Sequence, residues 1–412
     1  MKQFDAIVVG AGPAGGHCAR ILSQKGHDVL LIERYKNFER NNFSSAGTPL
    51  ETLSRFQLPD RLVGSYWQKL AIVTSNKSAL WESEQTQGSV LDFAELKQFL
   101  ADEVEANGGE VWFGCRYVEH HTLEPGQLMV TIKNNLSQET ISVQTQVLVD
   151  ATGATRAIVG RQGQSQPSLV TGTGVEYLIS VDSETYKPYA ETLAFLLGEK
   201  WMPRGYAWVF PMGNNRLKVG VGALNQSQTT NLAKGRSLTS YVERLIQEYL
   251  HPQDYQILDI HGETMRYSLG LQDVYSEGRA IAIGDTVSTI NLLGGEGIRH
   301  AMTSAEVASG YIDEMIQGQR HDFQGYRQEM HRLFRRKWQI SEKLALKMYL
   351  YNTDALIDLL VVKLNSLSLE QIVDLLFFYR FETLLYYRLK RFWTKLSQPI
   401  LRFFGIERDI RK

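Results

Sequence analysis

The chain is short of cysteine and of net charge, and it lacks any long apolar run. Its two cysteines, Cys18 and Cys115, stand far apart with no C-x-x-C pair. That excludes zinc ribbons, cysteine-held iron–sulfur clusters and disulfide scaffolds, and no metal site is expected. A formal charge of −1 over 412 residues argues against nucleic acid as a general partner. No window reaches the roughly 20 apolar residues that a membrane-spanning helix requires, so any membrane contact would be peripheral. Met1-Lys2-Gln3 leads directly into an apolar strand, which leaves no room for a cleavable signal peptide, and a cytoplasmic protein is expected. The length allows two or three domains and a large core.

What the chain does have is concentrated at its start. Ala6-Ile7-Val8-Val9 runs into Gly10-Ala11-Gly12-Pro13-Ala14-Gly15, then a helical segment closing on Gly26, then Val29-Leu30-Leu31-Ile32-Glu33. This reads as strand, glycine turn, helix and strand with an acidic terminus, the setting of a dinucleotide fingerprint. Gly10 permits the tight turn, Gly12 lets the backbone approach a pyrophosphate, and Gly15 lets the helix pack on the strand. The helix amides face the anion, and Glu33 accepts hydrogen bonds from a ribose. By itself this motif leaves NAD and FAD equally open.

Further along, Arg34–Asn42 reads as loop, Phe43–Pro49 as a stretch of small residues, and Leu50–Phe56 as a short helix. Lys69–Trp81 suggests strand, turn and strand, and Asp92–Asn107 an amphipathic helix stopped by Gly108-Gly109. Arg116–Val149 suggests a three-stranded meander ending in Asp150-Ala151-Thr152-Gly153, a second place where backbone can come close to a cofactor. Residues 168–267 hold strand-like runs at Gly174–Val181, Leu193–Leu197, Tyr206–Phe210 and Leu217–Ala223, with a helix at Ser237–His251. That pattern suits a separate antiparallel sheet with a cleft beside it.

A third signal is Ala280-Ile281-Ala282-Ile283-Gly284-Asp285, followed by the Gly295-Glu296-Gly297 turn that opens a helix. Asp285 can bond a sugar-alcohol hydroxyl, and the amides from Gly295 to Ile298 can stabilise negative charge on a reduced flavin. The two later segments have a role only if the cofactor extends from the glycine turn to a flavin ring, so FAD is expected. From Arg332 to Lys412 sixteen Lys or Arg stand against eight Asp or Glu, with aromatics interleaved from Phe377-Phe378-Tyr379-Arg380-Phe381 through Trp393 to Phe404. The composition suits an interfacial helix on anionic lipid and equally a helix packing its aromatic face on the body.

With these signals in order, the chain resembles FAD-dependent oxidoreductases of the p-hydroxybenzoate hydroxylase-like group and, within it, the geranylgeranyl reductase family, over about residues 4 to 320. The most discriminating segment is Gly205-Tyr206-Ala207-Trp208-Val209-Phe210-Pro211 with Val219-Gly220-Val221-Gly222, similar to the Y-x-W-x-F-P segment lining the family's cavity over the flavin. The resemblance implies that Gly10, Gly12, Pro13, Ala14 and Gly15 hold the pyrophosphate, and Glu33 with Arg34 the adenosine end. Val118 would pair its backbone with the adenine, Asp285 would meet the ribityl or phosphate end, and Gly295, Gly297 and Ile298 the isoalloxazine. Trp208, Phe210 and Pro211 would contact substrate. No proton donor is fixed by motif; Tyr206 and His300 are the nearest candidates, and each also reads as a structural residue.

The chain departs from the family at Ser44-Ser45-Ala46-Gly47, where a Cys-Gly pair is usual, at Leu91-Asp92-Phe93, where an arginine before the Phe-Asp of the helix is usual, and at Leu292, where proline is usual. The expected architecture is α/β: a Rossmann-like FAD-binding domain (1–165 and 270–325), an inserted antiparallel β-sheet substrate domain (166–269, joined by about 69–91) and a helical basic-aromatic C-terminal region (326–412). The expected function is a reductase delivering hydride from flavin N5 to a C=C bond of a hydrophobic, prenyl or isoprenoid, substrate. Gly172-Thr173-Gly174 and Gly220-Val221-Gly222 open no helix, so NAD(P)H or a protein electron donor would visit transiently. The alternatives are an aromatic monooxygenase on the same fold and a flavoprotein without turnover acting as a membrane-associated binding factor.

Overall fold

The computed structural model describes residues 2–39, 44–124, 126–160, 169–225 and 237–382. The apolar run at Ala6–Val9 has no polar face, and such a strand needs cover on both sides. Gln3–Val9 accordingly lies inside a sheet, parallel to Val29–Glu33 on one edge and to Thr140–Asp150 on the other. Glu110–Phe113 extends this sheet beyond Val29–Glu33, and Ala280–Ala282 beyond Thr140–Asp150. Helix Pro13–Gln24 starts with proline in its first turn, where no amide is missed, and packs between Phe93–Ala106 and Ile298–Ile316. The Phe93–Ala106 helix is capped by Asp92, whose carboxylate accepts from the amides of Ala94 and Glu95. The meander is present as Cys115–Glu124, Gln127–Asn134 and Thr140–Asp150 in antiparallel order.

A second sheet has seven strands in the order Tyr255–Ser268, Leu169–Val181, Arg216–Asn225, Met202–Pro211, Thr192–Gly198, Lys69–Val73, Ser78–Glu82. All neighbours are antiparallel except Thr192–Gly198 beside Lys69–Val73. The early strand pair at 69–82 therefore joins the later sheet, whereas Gly88–Leu91 goes into a small third sheet with Gly47–Pro49 and Val63–Trp67. Sequence patterning does not find Tyr255–Ser268. It is an edge strand whose Ile257, Leu258 and Ile260 stay exposed, so burial imposes no alternation on it.

The C-terminal helices Tyr326–Leu346, Asp354–Leu364 and Leu369–Leu376 complete the core. The Tyr326 hydroxyl donates to the carbonyl of Ala282 at 2.9 Å, tying the first of them to the parallel sheet. Of the aromatic-basic tail, Phe377–Phe381 turns inward: Phe377 stacks on Trp67 at 5.5 Å, and Tyr379 meets Trp338 at 5.4 Å. Its remainder, from Thr383 to Lys412, lies outside the described residues. Among the described residues no helix is long and apolar enough to cross a membrane.

Asp150, at the end of its strand, is fully buried and folds the chain that follows. Its Oδ1 accepts from the amide and hydroxyl of Thr152, and its Oδ2 from the amides of Ile158 and Val159 at 2.9 Å each. Asp150→Ala strands these donors and is expected to cost about 3 kcal/mol or more, read as a lowered thermal midpoint; Asp150→Asn should recover part of it.

Candidate functional site

A cavity of about 620 Å³ runs along the carboxyl ends of the parallel strands and continues over the seven-stranded sheet, where ligands of open α/β folds bind. The opening motif forms its middle. Gly10 has φ +102°, and a Cβ there would lie 2.5 Å from the Ala151 carbonyl oxygen; a Cβ on Gly15 would lie 1.9 Å from the Gly10 oxygen. These two glycines serve the chain's own close packing. Gly12 differs, because a Cβ on it would meet no atom within 4 Å and the residue lines the cavity. Its smallness leaves room for a ligand rather than for protein.

Two helices aim their N-termini into this cavity. Pro13–Gln24 begins at Gly12 and Ile298–Ile316 at Gly297, and neither has a side-chain cap or an acidic residue in its first turn. Their first amides and positive dipole ends are left for negative charge. A dinucleotide with pyrophosphate near the first helix and an electron-accepting ring near the second suits this arrangement. Glu33 lies at one end of the cavity, where Oε2 accepts from the Ala11 amide at 3.1 Å and Oε1 from the Tyr35 amide at 3.0 Å. Arg34 lines the same end with Cys115, Arg116 and Tyr117. Asp285 accepts from the Thr289 hydroxyl and the Ile290 amide, and burial pushes its carboxyl up from the ordinary range.

The far end joins the Gly-Glu-Gly turn to the second sheet. Gly295 has φ +67°, and a Cβ there would lie 2.2 Å from the Tyr206 hydroxyl oxygen; that hydroxyl donates to the Gly294 carbonyl at 3.2 Å. The Tyr206 ring stacks on Tyr349 at 5.8 Å, and burial pushes its phenol up to about 12. Trp208 lines the wall beside it. On the neighbouring strand, opposite Phe210, the Lys218 ammonium donates to the carbonyls of Ser44 at 2.9 Å and Leu91 at 3.2 Å, which fixes the Ser44-Ser45 strip at the cavity edge. Lys218 is buried, and desolvation lowers its pKa while the charge of Glu176 opposes that fall. No motif marks Lys218; the available signal was a cation at an inward position of a strand.

The structure does not bring every expected residue to the cavity. Ala14 and Gly15 stand behind the turn: Gly284 approaches so closely that a Cβ on it would sit 2.7 Å from the Ala14 methyl. Val118 is exposed, and the wall at its strand is made by Cys115, Arg116 and Tyr117 instead. Phe210 shares the face of Tyr206 and Trp208 but lies further along the strand, packed on Phe195 at 5.2 Å and over Gly47. Pro211, at the strand's end, is buried and likewise off the cavity wall. His300 sits in an aromatic box, 4.7 Å from Trp338 and 5.6 Å from Tyr379. Burial there holds its pKa far below 6.5, so it is a neutral ring away from the wall. The Asp150 carboxylate is used by the turn, and Ala151 to Thr155 are the residues of that segment that line the cavity.

The family described as FAD binding domain matches residues 3–336. A digeranylgeranylglycerophospholipid reductase of Haloferax volcanii is 29% identical over 340 residues, 78% of each chain. One of Picrophilus torridus is 24% identical and covers 90% of this chain and 95% of its own. Among solved structures, a geranylgeranyl bacteriochlorophyll reductase-like protein of Thermoplasma acidophilum superposes with a TM-score of 0.76 at 22% identity, covering 90% of this chain and 93% of that one. The p-nitrophenol 4-monooxygenase of Pseudomonas putida superposes with a TM-score of 0.69 at 15% identity, covering 89% and 95%. These superpositions establish a mixed α/β fold of the p-hydroxybenzoate hydroxylase type.

The glycines separate folding from ligand binding. Gly12→Val should leave the thermal midpoint of the ligand-free protein within a few degrees and abolish retention of the dinucleotide, read as loss of bound chromophore after gel filtration. Gly15→Ala should instead lower the midpoint sharply, because its methyl has no space.

Proposed function

The chain belongs to the FAD binding domain family, and on that premise we propose that it is an FAD-dependent reductase acting on C=C bonds of a hydrophobic, prenyl-type substrate. The observation that carries this reading is a single cavity with two chemically distinct parts: a glycine turn and two uncapped helix N-termini, one at that turn and one at the far end, and a face of glycines and aromatic rings on the second sheet. The names of the similar Haloferax and Picrophilus reductases support the substrate class.

In this reading Gly10, Gly12 and Pro13 with the first helix's amides hold the pyrophosphate. Glu33 and Arg34 hold the adenosine end, Asp285 the ribityl or phosphate end, and Gly295, Gly297 and Ile298 the ring. FAD held by these residues, once reduced, would supply hydride chemistry there. The dipole of Ile298–Ile316 stabilises negative charge at its N-terminus. Tyr206, stacked on Tyr349, gives the opposite wall and keeps its phenolic proton at neutral pH, so of the two candidate donors it is the one at the cavity. Residues 1–165 and 270–325 act as the cofactor unit, and 166–269 with the strands at 69–82 as the substrate unit. NAD(P)H or a protein donor supplies the electrons transiently.

Contact with a lipid surface belongs to the same reading, and helix Asp354–Leu364 supports it. Asp354 accepts from the Glu199 amide, and Asp358 from the hydroxyl of Thr74 and the side-chain amide of Asn76. Both acids thus face the protein, and Leu356, Leu359, Leu360 and Val362 are left exposed, with Lys363 beside them. An apolar helix face of this kind suits the headgroup boundary of a membrane.

Two experiments follow. The yellow protein, reduced with dithionite and given a digeranylgeranyl phospholipid, should yield product heavier by two hydrogens per double bond reduced. No such product, together with NADPH oxidation stimulated by a phenol, would replace this reading with the monooxygenase. In flotation with phosphatidylglycerol-containing vesicles, the triple variant Leu356→Ser, Leu359→Ser, Leu360→Ser should float at least severalfold less than the parent; equal flotation removes the membrane assignment from this helix.

A further inference from the structure

Both Gly-x-Gly pairs in the second sheet open no helix, and the strand register shows what they do instead. Glu176 pairs with Gly220 and Gly220 with Trp208, so the three residues form one row across three strands. The adjacent row is Gly174, Gly222 and Tyr206. A Cβ on Gly220 would lie 2.3 Å from Cζ2, 2.4 Å from Cε2 and 2.8 Å from Nε1 of Trp208. The indole therefore lies across the bare backbone of the middle strand, and any side chain at 220 would evict it. Its N–H reaches the far strand and donates to Glu176 Oε2 at 2.7 Å.

We propose that Glu176 is a positioning residue: it holds the Trp208 indole flat on the sheet, and so sets the shape of the substrate cavity. The assignment of that cavity to a prenyl substrate rests on the function proposed above. Glu176 is only 2% exposed. A carboxylate buried under an apolar wall is costly unless paired, and a hydrocarbon side chain of similar volume would fill the same space without that cost. What the carboxylate adds is an acceptor for the indole N–H. Lys218 lies on the same face of the middle strand two residues before Gly220, and its charge opposes the burial that pushes the Glu176 carboxyl up. Because Lys218 also holds the carbonyls of Ser44 and Ser45, two buried side chains on one face of the sheet, Glu176 and Lys218, fix two walls of the cavity. An indole released from Glu176 is free to change rotamer into the space it now borders.

The test uses the FAD-loaded, oxidised protein, so that turnover is not required, with geranylgeraniol as the probe. Binding is read as perturbation of the flavin absorbance, and the indole as its N–H signal in protein labelled with 15N-tryptophan. Glu176→Ala should weaken geranylgeraniol binding about tenfold and move or broaden one indole signal, that lost in Trp208→Phe. Glu176→Gln, whose amide oxygen still accepts, should restore both to near parental values. Glu176→Ala combined with Trp208→Phe should bind no more weakly than either single variant, since both remove one unit. Multiplying effects in the double variant, or an unchanged Trp208 indole signal in Glu176→Ala, overturns the proposal. If the parent protein shows no response to geranylgeraniol, the substrate reading fails, and the indole signals still decide the role of Glu176.

Discussion

The structure depends on one steric constraint, the approach of backbone to backbone at the crossing of the first strand and the first helix. Gly15 comes so near the Gly10 carbonyl, and Gly10 so near that of Ala151, that no side chain fits at either. Gly284 comes similarly close to Ala14. Three segments from distant parts of the chain thus meet with almost no side-chain volume between them, and the Gly153 amide is bonded to the Thr286 hydroxyl at 3.0 Å. That convergence places a glycine turn, the turn after Asp150 and Asp285 along one cavity. It also brings a second helix N-terminus to the far end of the same space.

The polar groups close to the cavity are of two kinds. Asp150, Glu296 and Lys218 are occupied within the protein: Asp150 by backbone amides, Glu296 by Arg299 at 2.8 Å through both oxygens, and Lys218 by carbonyls. They fix loops that have little regular structure, and breaking any of them would leave a buried charge uncompensated. The uncapped amides at Gly12 and Gly297 are of the other kind, since no side chain in their first turns answers them. Departure from the family pattern at Ser44 to Gly47 need not loosen that strip, because Lys218 holds it by main-chain carbonyls that any residue would provide.

The first βαβ unit was legible because each of its requirements falls on a different residue type at fixed spacing: β-branched strand, glycine, proline at the helix start, terminal carboxylate. The Phe93–Ala106 helix was legible for the same reason, with Asp92 as its cap and Gly108 at its end. The edge strand Tyr255–Ser268 was not, because exposure over most of its first half removes the pattern that burial writes into sequence. Phe210 and Pro211 fell in a motif whose first half reaches the cavity; distance along the strand separates Phe210 from it, and strand alternation turns Pro211 to the opposite face.

The sequence by itself determined a cofactor class, through three glycine-bearing segments whose local geometry is the same wherever they occur, and the α/β architecture that follows from them. Tertiary structure alone decided that His300 belongs to an aromatic box, that Val118 faces solvent, and that Gly88–Leu91 parts from the strands at 69–82 to enter a small third sheet. It alone showed that Glu176, Gly220 and Trp208 form one row. The physical reason is common to all of these. A turn is specified by residues adjacent in the chain, whereas burial, register and side-chain partnership are set by which strands lie side by side, and the pairing of distant strands leaves no local mark.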